Sequence, residues 1–167
     1  YKRQVKLGKQ KGLKEDSLIN GYVTIIKNVG KPDEQTLCKD QHNLLTTDGR
    51  DFFHAQVYTN TSAGTRGANF IALTTDDTGA AAGDTTLPDE INSGGLERAV
   101  ATTITHTNDS NVTTLVKTFT ASATHTAVQM SGTFNAASGA ILAHEAVFTA
   151  VTLVSSDTLQ VTWTLTL

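Results

Sequence analysis

The stretch Thr158 to Leu167 constrains this chain more than any other. Leu159, Val161, Trp163, Leu165 and Leu167 alternate with Gln160, Thr162, Thr164 and Thr166. Alternation at period two sends one set of side chains to each face of a strand, so the segment reads as a half-buried β-strand. A helix, with its period of about 3.6, would smear the leucines around its axis. The odd positions carry the only Trp toward a core, and a row of threonines and one Gln faces the other way. Thr and Val are stiff at χ1 and suit a pleated surface.

The rest of the chain extends that pattern. It has 29 threonines among 167 residues, 38% hydrophobic residues and only 17% charged ones. Such a composition fits an all-β chain with many outward strand positions, and a chain of this length is long enough to bury a sizeable core. From Ser17 to Val29 the segment around Tyr22-Val23-Thr24-Ile25-Ile26 predicts a first strand, with Asn20-Gly21 as a turn or bulge before it. Asn28 to Asp33 reads as a turn, and Gln35 to Asp40 as a returning strand. Thr46 to Tyr58 is the helix candidate, capped by Thr47 or Asp48, with Phe52, Phe53, Gln56 and Val57 on one buried stripe. The cluster Asn60 to Gly64 then reads as its stop.

Asn69 to Thr74 predicts a short buried strand, followed by a long acidic loop from Asp76 to Glu90. Five further strands are expected at Leu96–Thr107, Val112–Ala121, Thr126–Asn135, Ile141–Thr149 and Thr158–Leu167, separated by turn clusters. Strands at this spacing point to an antiparallel β-sandwich, jelly-roll-like, with one short helix. The expected organisation is a basic arm at 1–16 and a single sandwich domain at 17–167, with Phe52, Phe70, Phe134 and Trp163 in the core.

Charge is distributed unevenly. Net charge is −3, yet Lys2, Arg3, Lys6, Lys9, Lys11 and Lys14 fall in the first 14 residues with no acid among them. A basic arm on an acidic body can mean nucleic acid, an anionic surface or docking on an acidic neighbouring subunit, against the plain alternative of a solvated terminus; together with Asp76, Asp77 and Asp84 it is the expected assembly contact. Nucleic acid is disfavoured as a partner, because Tyr1 is the arm's only aromatic ring and no second basic patch supports it. No run approaches the roughly 20 apolar residues that span a bilayer, so no membrane partner is expected.

The chemistry of catalysis is not signalled. No Gly-x-Ser-x-Gly elbow, Walker loop or dinucleotide-binding glycine motif occurs, and no small-molecule substrate is implied. Cys38 is the lone cysteine, which excludes an internal disulfide, and its spacing of four to His42 fits a plain structural role. His42, His54, His106, His125 and His144 make no metal-binding pattern, and Asp76, Asp77 and Asp84 lack the spacing of an EF-hand loop, so no cofactor and no metal are expected. On a strand, His144 and Glu145 point to opposite faces and do not form a pair.

From His42 to Leu167 the order of motifs resembles small structural proteins of tailed phages and related archaeal viruses. The pieces are His42-Asn43-Leu44-Leu45-Thr46-Thr47-Asp48-Gly49-Arg50, Asn69 to Asp76, Ala80 to Leu87, Gly95-Leu96-Glu97-Arg98-Ala99, Gly132 to Leu142, and Asp157 to Thr164. The resemblance implies a non-enzymatic virion protein whose partners are copies of itself and a capsid or tail protein. A capsid decoration (cement) protein on the outer shell is the leading expectation. A tail or tail-fibre component for host attachment is the alternative, and an extracellular filament subunit assembled by strand exchange, with the basic arm as the donated strand, is a third. The family carries no catalytic residues to transfer.

Overall fold

The computed structural model describes residues 20–49, 52–53, 67–106 and 112–166. The basic arm, the far half of the helix candidate (Gln56, Val57 and Tyr58) and its expected stop lie outside them.

Among the described residues, ten strands form two five-stranded sheets, antiparallel throughout. The first sheet contains β1 (Asn20–Lys27), β2 (Gln35–His42), β6 (Thr103–His106), β7 (Val112–Thr120) and β10 (Thr158–Thr166), in the order β2-β1-β10-β7-β6. The second contains β3 (Leu44–Leu45), β4 (Phe70–Thr74), β5 (Ala99–Val100), β8 (His125–Phe134) and β9 (Leu142–Leu153), in the order β3-β9-β8-β4-β5. The sandwich expected from the sequence is therefore observed.

The strand that anchors the reading, β10, lies at the centre of the first sheet between β1 and β7. Its inward residues Leu159, Val161 and Trp163 are fully buried, in one core with Val23 and Ile25 of β1 and Leu115 and Phe119 of β7. From the second sheet Ile71, Leu73, Val128, Ala146 and Leu153 meet them. Residues paired across antiparallel strands share a face, so the register also defines the outer surface of this sheet. One rung there reads Tyr22–Thr164–Thr114–Thr105, the next Thr24–Thr162–Val116–Thr103, and the third Ile26–Gln160–Thr118.

Several local expectations need correction. Asn20 and Gly21 are not a turn, because they pair with Thr166 and Leu165 and simply begin β1. The segment Leu96–Thr107 is not one strand. It enters as β5 beside β4 and leaves as β6 beside β7, crossing between sheets at Ala101 and Thr102. There the Ala101 amide donates to the Asn69 carbonyl, and the Thr102 amide to that of Val116. β2 and β9 run longer than expected, to His42 and Leu153. The helix does begin at Thr47, but Thr46 caps it: the Gly49 amide donates to Thr46 Oγ1 at 2.9 Å.

Two turns are tied together at one end of the first sheet. Asn28, at φ 52°, donates from Nδ2 to Asp33 and Asp157, and its Oδ1 accepts the Thr158 amide at 2.8 Å. Lys27 sits 3.1 Å from Asp157, whose carboxyl is drawn down to about 2 by the Val154 amide and the Asn28 side chain ahead of the lysine's charge.

Candidate functional site

One part of the second sheet is buried on both faces. β4 is buried from Ile71 to Thr74, β8 from Met130 to Phe134 and β9 from Leu142 to Ala146, whereas the far half of β9 leaves Val147, Thr149 and Thr152 exposed. The inner face meets the first sheet, and the outer face meets the loop that follows β4. Leu87 from that loop packs with Ala72, Met130, Phe134 and Leu142 in a second apolar cluster. The loop is fixed at its far end by Glu90, which bridges to Thr74 and forms a two-pronged ion pair with Arg98. Arg98 lies 3.5 Å over the Phe134 ring and donates to the Ala136 carbonyl. Midway along it the Thr47 amide donates to the Ala82 carbonyl at 2.7 Å, which ties the loop to the start of the helix.

Under this cover sits Glu145, fully buried on the outer side of β9. Its Oε1 accepts the Ala81 amide at 2.7 Å, while Oε2 has no hydrogen-bond partner. Burial is the main reason its carboxyl rises from 4.5 to about 7. The Ala81 amide pulls the other way, and the charges of Asp84 and Asp76 push it further up. Glu145 is thus a carboxyl that stays protonated close to neutrality, with the charge of Asp84 nearby opposing its ionisation.

Its neighbour His144 is also fully buried but points to the inner side. The ring lies between Phe53, at 5.7 Å, and Trp163, at 6.1 Å, with Nδ1 3.0 Å from Thr133 Oγ1. Burial lowers its pKa to about 4, so the imidazole is neutral over most of the pH range. The two groups stand on opposite faces as the alternation implied, and no proton passes directly between them. That both are buried was not foreseen.

The other predicted residues divide as follows. Phe52, Phe134 and Trp163 are buried, and Phe70 is half-buried against the second cluster. Asp76 is buried and accepts the Thr78 hydroxyl, Asp84 is half-buried and accepts the Ala81 amide, and Asp77 is exposed. The loop therefore presents Asp77 outward and uses Asp76 and Asp84 internally. Lys2, Arg3, Lys6, Lys9, Lys11 and Lys14 lie outside the described residues. Among the described residues no group of three or more His, Cys, Asp or Glu is arranged to hold a metal ion. Cys38 is half-buried, donates weakly to the Val23 carbonyl, and has its thiol pKa raised by burial.

The sequence held one overlooked signal for the covered face. Gly132 interrupts a bulky strand, and a Cβ there would meet the side chains of Leu142 and Leu87. A small residue in the middle of a strand marks a place where another element passes close by. Comparison with known family models, curated proteins and solved structures found no match for this chain.

Proposed function

We propose that the chain is a non-enzymatic structural protein of a virus particle, a decoration protein that binds the outer shell and stabilises it. The observation that carries this reading is where the motif residues resembling virion proteins fall. Each does the work of a scaffold. Thr46 caps the helix and anchors it to Leu142. Arg98 clamps the loop onto Phe134. Asn135 closes the β8–β9 turn by accepting the Ile141 amide at 2.8 Å. Asp157 joins the two turns at the end of β10. Residues arranged in this way specify a rigid body, as a module repeated over a surface requires.

Gel densitometry of purified particles tests the proposal through copy number. Cement proteins occupy icosahedral sites and should number in the hundreds per particle. A handful of copies would move the protein to the tail, and its absence from particles would refute the virion reading.

A further inference from the structure

We propose that the outer face of the first sheet is a docking surface for a second copy of this chain, met face to face about a two-fold axis. Along β1, β10 and β7, every outward side chain described is uncharged, from Tyr22 and Ile26 at one side to Val116 and Thr118 at the other. This is unusual for the chain as a whole, whose residues after Lys14 hold 16 acids against 7 bases. Asp40 of β2, whose carboxylate accepts the Thr24 hydroxyl, borders the face at one side. Asp77, Asp89 and Glu97 are exposed on the segment that covers the opposite sheet.

That placement favours a copy of the chain over other partners. Two acidic bodies repel unless the meeting faces are neutral and the charges point away, and docking through this sheet satisfies both conditions. A nucleic acid would find no basic group along β1, β10 and β7, and Asp40 at the margin would repel it. Threonine adds self-complementarity, since each hydroxyl donates one hydrogen bond and accepts others. The hydroxyls of Thr114, Thr162 and Thr164 take no partner among the described residues. An isologous interface matches a patch with itself, so a surface of such groups suits a two-fold contact.

The size suits a modest interface. The strands β1, β10, β7 and β6, about 4.8 Å apart with residues rising about 3.3 Å each, give a flat footprint of roughly 480 Å². That is more than half of the roughly 800 Å² per partner of a standard stable interface. Sheets packed in this way lie about 10 Å apart, close enough for Tyr22, Ile26 and Val116 to lose their contact with water.

This inference does not depend on the virion reading, because the free full-length chain tests it. Sedimentation velocity over a concentration series should show a dimer that persists at high salt. Thr162, at the middle of the face, is changed to Glu and separately to Lys, with native far-UV spectra and melting temperatures confirming the fold. Each variant should self-associate at least about a hundredfold more weakly, since like charges meet across the axis. Mixing Thr162→Glu with Thr162→Lys should restore the dimer, which a merely damaged fold would not do. Should either variant fail to fold, Thr114→Glu and Thr114→Lys make the same test. A wild-type chain that stays monomeric at all concentrations overturns the proposal, as does a dimer that survives both substitutions or dissolves in salt.

Discussion

His144 and Glu145 should give this protein a deceptively flat pH profile, because their contributions to stability oppose each other over the same range. Glu145 is held at about 7 in the fold against 4.5 when exposed. Its contribution is fully present below 4.5 and falls away as pH rises through 7, a loss of about 3 kcal/mol. His144 is held at about 4 against 6.5. Its contribution is complete above 6.5 and falls away as pH drops through 4, again by about 3 kcal/mol. Summed between pH 4 and pH 7, the two cancel to within about 0.5 kcal/mol.

Single substitutions should remove the cancellation. In Glu145→Gln the amide oxygen can still accept the Ala81 amide, and no proton is titrated. Urea unfolding of that variant should show stability falling by about 3 kcal/mol as pH drops from 7 to 4, with a gain over wild type at pH 7. His144→Gln should show the mirror image, losing about 3 kcal/mol as pH rises from 4.5 to 7. Profiles as flat as the wild type in both variants would refute the reasoning, since the buried groups would not be titrating in this window.

Trp163→Ala should lower stability by about 3–5 kcal/mol in denaturant unfolding, the range for a large aromatic in a packed core; a near-wild-type midpoint would mean its face is misassigned. Gly95 sits at φ 85° with the Thr120 carbonyl where a Cβ would go, so Gly95→Ala should lower the thermal midpoint and cost about 2 kcal/mol or more. Arg98→Met should release the far end of the loop, seen as faster hydrogen exchange at Ile91, whose amide donates to the Leu73 carbonyl. Deletion of residues 1–16 should leave the thermal midpoint unchanged and weaken occupancy on particles in a salt-sensitive way; unfolding on deletion would make the arm a core strand.

What the sequence disclosed was the first sheet, because one of its faces is wet. Leu159, Val161 and Trp163 alternate with polar partners only because water lies on the other side. The second sheet hides its logic. Leu142-Ala143-His144-Glu145-Ala146 shows no clean period, since both of its faces are covered and two of its buried residues are ionisable. Alternation reports which face a residue takes, and it cannot report that a loop from 60 residues earlier lies across that face. The same limit hid the crossing at Ala101 and Thr102. The strand-like composition of Leu96–Thr107 is real on either side of it, but which sheet each half joins is decided by Asn69 and Val116.

The asymmetry between the sheets bears on how such a protein assembles. The second sheet is covered by its own loop over β4 and the adjoining parts of β8 and β9, so the surfaces left for partners are the uncharged face of β1, β10 and β7, the exposed end of β9, the sheet edges and the acids on the loop's exterior. These differ in their response to salt. A contact through threonines and Val116 involves no exposed charge and should persist as ionic strength rises, whereas the six cations before Glu15 can be attracted only to acids such as Asp77, Asp89 and Glu97 or to a charged shell. A particle that loses the protein in salt while the released protein remains dimeric would therefore have been held by its arm and paired by its sheet.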